Sequence, residues 1–315
     1  MYLGGIYSNS WSAFGEKKGH LSMNKRKETL TGYAFIAPAL IVFLVMIAFP
    51  FFASIGLSFT EWNFIGGLDK LKWIGFDNYK ELLVDRRFHH AVKNTFIYAI
   101  ATVPTSLVLA MGLAFVMNTK VYFKKTLRLA FFIPYISNTV ALSAVFLFLF
   151  RNDGLINALL TSVFPNMQPI AWFSSATLCK VPIILLVIWT AIGYEMVIYM
   201  AALQNVPREL YEAAEIDGAN GFHKFWKITS PLISPTTFYL MIVRCIASFK
   251  IFASVNIMTM GTAASYNTSM VNEIYANAFE RYKFGYASAE AMIMFLIILA
   301  VTLVQFWGQK KWVHY

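Results

Sequence analysis

The sequence predicts an all-α polytopic membrane protein with six transmembrane helices. Two observations carry that expectation. Of 315 residues, 58% are hydrophobic and only 13% are charged, roughly half the charged share of a soluble domain. The apolar residues also fall into continuous runs of about 20, the length that crosses a hydrocarbon core of roughly 30 Å. Those runs do not alternate at period two, which argues against a membrane β-barrel.

Taken in order, residues 1–32 read as a cytoplasmic tail and residues 33–315 as the membrane domain. The tail has no apolar stretch long enough for a signal peptide. Met23, followed by the basic cluster Lys25-Arg26-Lys27, reads as the natural start, or else residues 1–22 form a disordered tail. Spans are expected at about 33–59, 94–117, 127–150, 181–203, 236–258 and 286–307. Pro38, Pro50, Pro104 and Pro134 lie inside them, and neighbouring helices can satisfy the backbone groups these prolines free. In the loop 60–93, Tyr79, Leu82 and Leu83 followed by Phe88, Ala91 and Val92 have the spacing of a short amphipathic helix at the interface. His89 and His90 point about 100° apart on a helix and make no metal site with any neighbour in sequence. Cys179 and Cys245 have no metal or disulfide spacing and read as small apolar residues.

The formal net charge is +10, and its placement sets orientation rather than requiring nucleic acid. The segment 118–128 holds Lys120, Lys124, Lys125 and Arg128 and no acid. The loop 60–93 dilutes its six basic residues with Glu61, Asp69, Asp77, Glu81 and Asp85. Lys and Arg concentrate on the cytoplasmic side, so both termini and the loop 204–235 are expected there, with the chain multi-pass in a bacterial-type cytoplasmic membrane.

That loop contains "ELYEAAEIDGANGFHKFWKITSPL", Glu209 to Leu232. Pro207 suits a first helical turn, Glu209 suits the dipole there, and Ala213 and Ala214 remove bulk. Gly218 ends the helix cheaply in a left-handed conformation. A second helix places Phe222, Phe225 and Trp226 at i, i+3, i+4. Physics alone leaves two readings open: a helix resting in headgroups, or a knob that docks in a groove on a cytoplasmic partner.

Glu195, Arg244 and Lys250 are ionisable residues within the expected spans. Each costs about 2.5–3.5 kcal/mol at mid-bilayer on insertion scales unless it is partnered. Glu195 and Arg244 each lie about eight residues from the cytoplasmic ends of spans four and five, hence about 12 Å deep. They are expected either to pair with each other or to bind a solute. Arg244, Ser248, Ile251 and Val255 follow i, i+4, i+7, i+11 and are expected on one face of span five. Lys250 can snorkel outward.

The pattern Glu212-Ala213-Ala214, Gly218, Ile228 and Pro231 resembles the EAA loop of permease subunits from binding-protein-dependent ABC importers. Ser230 stands where that pattern has leucine. "GYAFIAPALI", "FDNYKELLVDRRF", "FFIPYI", "SFKIFASVNIMT", "FGYASAEA" and "KKWVHY" extend the resemblance to the sugar-permease branch, of the maltose-type and multiple-sugar kind. Ala253, Ser254 and Gly261-Thr262-Ala263 depart from it after span five. The resemblance implies the type I importer fold and no catalytic or metal site. It implies a second permease subunit in a heterodimer, two ATPase subunits that bind ATP and Mg, and an external solute-binding protein. It implies ATPase coupling through Glu212, Ala213, Ala214, Gly218, Phe222 and Phe225. It further implies a saccharide site lined by Tyr194, Ser248 and Ile251. Glu195 stands where that family often has asparagine, and with Arg244 it suggests an unusual solute, a charged sugar. The chain has no G-x-x-x-x-G-K-[ST] and no H-E-x-x-H, so neither a P-loop ATPase nor a zinc protease is expected. The alternative is a proton- or ion-coupled secondary transporter using Glu195.

Overall fold

A computed structural model describes residues 25–118, 121–175, 177–259 and 267–313. The Met23 start and Gly261-Thr262-Ala263 lie outside the described residues. The chain divides into two compact units, residues 1–53 and 54–315.

The described chain begins with α1 (Lys25–Phe43), which passes through a π-helical turn, Leu44–Ala48, into α2 (Phe49–Leu57). Helix thus begins inside the expected tail, because Lys25-Arg26-Lys27-Glu28 are good helix formers. The π-turn sits just ahead of Pro50, which has no N–H for the Met46 carbonyl. Phe49 N–H instead reaches back to the Leu44 carbonyl, and one wider turn absorbs the proline.

The second unit opens with a two-residue antiparallel pair, β1 (Thr60–Glu61) and β2 (Lys72–Trp73), in register Thr60 to Trp73. Asn78 fixes this corner by donating to the carbonyls of Ser58 (2.8 Å) and Thr60 (3.0 Å). α3 (Asp77–Val84) is the first part of the expected amphipathic helix, with Tyr79, Leu82 and Leu83, while Phe88, Ala91 and Val92 fall on the next helix. α3 packs against the last helix of the chain, with Leu82 fully buried. Asp85 breaks the helix before α4 (Arg86–Asn118) and accepts a 2.7 Å hydrogen bond from the Tyr286 hydroxyl. Burial pushes the Asp85 carboxyl up. The Tyr286 hydroxyl, the N–H groups of Arg87 and Phe88 and the Arg87 charge outweigh that and hold it below the usual carboxylate range.

α5 (Lys124–Ile136) and α6 (Thr139–Leu149) replace the continuous third span that the hydropathy suggested. They meet at 98°. Pro134 lies in the last turn of α5, and the Asn138 side chain caps α6 by accepting the Val140 and Ala141 N–H groups. A capping asparagine starts a new helix where an apolar run alone reads as one. α7 (Leu155–Val163) fills the next loop, and α8 (Lys180–Gln204) is the fourth span.

After the polar loop, α9 (Arg208–Ile216), α10 (Gly221–Lys224), a π-turn (Phe225–Thr229) and α11 (Ser230–Leu232) lead into α12 (Ser234–Phe249) with a 65° bend. α12 stops at Phe249, so Ile251 and Val255 do not continue its face. The chain restarts as α13 (Ala253–Met258), and later forms α14 (Met270–Tyr275), a π-turn (Ala276–Glu280) and α15 (Phe284–Gln309). Four helices, Thr29–Leu57, Arg86–Asn118, Lys180–Gln204 and Phe284–Gln309, are long and apolar enough to cross a membrane. With each bent pair taken as one span the number rises to six.

The core sits between α4 and α8. Val103, Leu107, Ala110, Ala114 and Met117 form a stripe on α4 against Met196, Tyr199, Met200 and Leu203 of α8. Ala110 and Ala114 are fully buried, and such small residues let membrane helices approach closely.

Candidate functional site

Two polar features interrupt this apolar bundle. The first is intramembrane. Glu195 on α8 is 0% exposed, and its Oε1 lies 2.7 Å from Arg244 Nε on α12. Ser106 on α4 donates to the same oxygen at 3.0 Å. The Arg244 N–H is not aligned for a hydrogen bond, so the contact is ionic. Arg244 Nη2 and Glu195 Oε2 are buried without a hydrogen-bond partner. Three helices therefore converge on one charge pair. A buried pair of this kind gains little net stability, but removing one member leaves an uncompensated charge.

Tyr194, the residue before Glu195 on α8, turns to a different neighbour. Its ring stacks on Tyr135 of α5, with centroids 4.9 Å apart and planes at 18°, and its hydroxyl faces Tyr239 of α12. The approach of α5 to α8 that permits this occurs at Gly193, where a β-carbon would overlap the Phe131 carbonyl. Tyr135 and Tyr239 are about half exposed, so the cluster presents open aromatic faces beside the ion pair. The sequence reading missed both residues and Gly193. "FFIPYI" contained Tyr135, but nothing local says which helix it meets.

The remaining expected members lie elsewhere. Ser248 is buried, and its hydroxyl donates to the Cys245 carbonyl at 2.7 Å. Ile251 follows the end of α12 and packs with Tyr98, Ile183 and Leu186. Lys250 is exposed at the C-cap of α12. A cavity of about 550 Å³ between α4, α12 and α15 is walled mainly by apolar side chains, and Tyr194, Glu195 and Arg244 do not line it.

A fourth intramembrane ionisable residue, Glu290, was also missed, although it falls inside the expected span 286–307. It is 1% exposed and accepts from Asn277 Nδ2 at 2.9 Å. Arg281 Nη1 donates to Asn277 Oδ1 and to Glu273 Oε1, both at 2.6 Å. This network ties the π-turn after α14 to α15. Among the described residues, no group of three or more His, Cys, Asp or Glu side chains is placed to hold a metal.

The second feature is the polar loop. Pro207 stands just before α9, and Gly218 takes φ +74° after it. The Ala219 N–H then returns to the Ala214 carbonyl at 2.8 Å. Asn220 caps α10 by accepting the His223 N–H. Lys224 Nζ meets Glu215 Oε1 at 2.6 Å, and Tyr211 shares a 2.8 Å hydrogen bond with Thr229. These contacts tie the two arms together.

The expected aromatic stripe is split. Phe225 is half-buried, edge-on to Phe115 of α4 with centroids 5.8 Å apart. The π-turn that begins at Phe225 widens the helix and redirects it. Phe222 and Trp226 stay 75% and 55% exposed, with Ile216 at 88%. Glu212 and Ala213 are exposed and Ala214 is half-buried. The loop is thus a braced knob with an apolar tip, flanked by Glu212 and Glu215.

Residues 94–313 match the family described as "Binding-protein-dependent transport system inner membrane component". The chain is 36% identical over 298 residues to the "Probable ABC transporter permease protein YesP" of Bacillus subtilis (strain 168), covering 93% of this chain and 95% of that one. It is 31% identical to the "Lactose transport system permease protein LacF" of Rhizobium radiobacter, covering 91% and 96%. Among solved structures it resembles a chain of a bacterial ABC transporter involved in the import of the acidic polysaccharide alginate. There the TM-score is 0.79 at 22% identity, over 92% of this chain and 98% of the other, a likeness of fold.

Proposed function

This chain belongs to the family of binding-protein-dependent transport system inner membrane components, and from that premise we propose that it is a transmembrane permease subunit of an ATP-driven importer for a saccharide. The observation that carries the reading is the braced knob with its exposed Ile216, Phe222 and Trp226. An apolar helical tip held rigid in a polar loop fits a groove on another protein better than it fits water. In this reading the groove belongs to one of two cytoplasmic ATPase subunits, which bind ATP and Mg. Glu212, Ala213, Ala214 and Gly218 shape the docking surface. Phe225 anchors the knob to α4 through Phe115 rather than touching the partner. A second permease chain completes the pore, and an external binding protein delivers the solute.

The tyrosine cluster supplies the solute site. Pyranose rings have apolar faces and many hydroxyls, and Tyr135, Tyr194 and Tyr239 offer ring faces and phenols in one place. Glu195 neutralises Arg244, so the pair gives the site hydrogen-bonding groups and no net charge for an acidic sugar. The relatives' printed roles favour a saccharide, lactose in the case of LacF. The ion-coupled alternative gains nothing from them, and the close Arg244 partner argues against Glu195 as a free proton carrier.

The test is to purify the full chain gently from its own membranes and identify what accompanies it. A Walker-motif ATPase and a second six-span permease are expected. In a Phe222→Asp, Trp226→Asp variant the ATPase is lost while the second permease stays. A single hot-spot aromatic contributes about 2 kcal/mol or more, so loss of even one such contact lowers retention at least about thirtyfold. A chain that is monodisperse alone and moves solute without ATP overturns the proposal.

A further inference from the structure

At the end of the bundle opposite the knob, α4 and α8 frame a cleft of about 440 Å³. Its mouth carries His90, Lys93 and Lys180, and its lower wall carries Ile97, Val181 and Ile184. None of the residues lining it is acidic. The Lys93 ammonium group is close enough for its charge to act on Lys180.

The arrangement is graded along both helices in the same direction. α4 and α8 both run away from this end, and each places an isoleucine four residues after its lysine: Lys93 then Ile97, Lys180 then Ile184. Four residues of helix is about 6 Å of depth. α4 has 33 residues and so is about 50 Å long, well beyond a hydrocarbon core of roughly 30 Å. Its first turns therefore stand among headgroups, and its apolar run begins near Phe96. Lys180 opens α8, directly ahead of that helix's apolar run. The lysines are thus level with the membrane surface, and the isoleucines lie one turn into the core.

We infer that this cleft binds an anionic phospholipid, its phosphate between Lys93 and Lys180 and one acyl chain along Ile97, Val181 and Ile184. A soluble anion would use the basic mouth and leave the apolar wall bare. A zwitterionic lipid would use the wall but gain little from two neighbouring ammonium groups. The site is separate from the knob and the tyrosine cluster, and it stands whether or not the saccharide reading holds.

The test is native mass spectrometry of the full chain with its co-purifying subunits, delipidated and then titrated with lipid. Phosphatidylglycerol should be retained about thirtyfold over phosphatidylcholine of the same acyl chains, the scale that two interfacial lysines supply. The Lys93→Gln, Lys180→Gln variant should lose that preference. Glycerol 3-phosphate in millimolar excess should leave the bound lipid in place, because it has no chain to fill the wall. Equal retention of the two lipids by the unaltered chain overturns the proposal and does not depend on any variant folding. So does undiminished preference in the double variant. Full displacement by glycerol 3-phosphate would mean a soluble-anion site, and a subunit covering Lys93 in the delipidated complex would mean a protein interface; either also overturns it.

Discussion

Three residues from three helices meet at Glu195: Ser106, Arg244 and the carboxylate itself. Glu195→Gln removes the charge that offsets Arg244 in a buried setting. The expected loss is about 3–5 kcal/mol, because an unpaired buried charge is left behind. The double variant Glu195→Gln, Arg244→Gln should regain more than half of that loss. Thermal unfolding of the full chain in lipid nanodiscs, read as a double-mutant cycle, measures the coupling. Additive losses would show that the two side chains do not act as a pair. This pairing was half legible in the sequence. Equal distances from the same membrane face made it a candidate, since depth follows from counting residues. Which of two uses the pair served could not be counted, because that depends on what else reaches the carboxylate. Ser106 sits 89 residues away in the chain and carries no local signal. Glu290 was overlooked for a different reason. It stands in an Ala-rich helix start, and its partners Asn277 and Arg281 belong to a loop that reads as polar and unremarkable.

Spans one, two, four and six were legible because each is a single apolar run with polar ends. Spans three and five were not, because a hydropathy window averages across a break. Asn138 is one polar residue in a long apolar context, yet its side chain satisfies two N–H groups and starts α6 in a new direction. α12 ends at Phe249, which removed the single helical face on which Ser248 and Ile251 were expected together. Close approach of elements is equally hidden. Gly193→Ala should push α5 away from α8, since the added carbon meets the Phe131 backbone rather than a movable side chain. Overpacking of this kind costs about 1–3 kcal/mol, and the Tyr135–Tyr194 stack should loosen with it. Gly112→Ala, where a β-carbon meets nothing within 4 Å, is the matched control on α4. Equal melting temperatures for the two variants would remove Gly193 from this role.

For the whole molecule, the charge bias and the knob make one joint expectation: both termini and the loop 204–235 face the cytoplasm. A single cysteine introduced as Lys311→Cys should resist an impermeant maleimide in intact cells and react after permeabilisation. Asn152→Cys, in the loop between α6 and α7, should react in intact cells. The opposite pattern would invert the chain and remove the knob from any cytoplasmic partner. The knob itself was the most legible part of the sequence, since Pro207, Gly218 and the alanines act locally and at fixed spacing. Its outward surface was less so. Phe225 reads like Phe222 until the π-turn directs it toward Phe115.

The Lys224–Glu215 clasp and the 65° bend before α12 together have a mechanical consequence. A hinge at the knob would let a push on its tip dissipate in the loop, but two clasped arms move as one stiff piece. That piece joins α12 at an angle, like the elbow of a bell crank. If a partner pushes the knob, sideways travel at Phe222 is expected to emerge as tilt in α12, on which Arg244 and Tyr239 ride. Cutting the clasp with Lys224→Ala should therefore leave both ends intact and slacken the linkage between them.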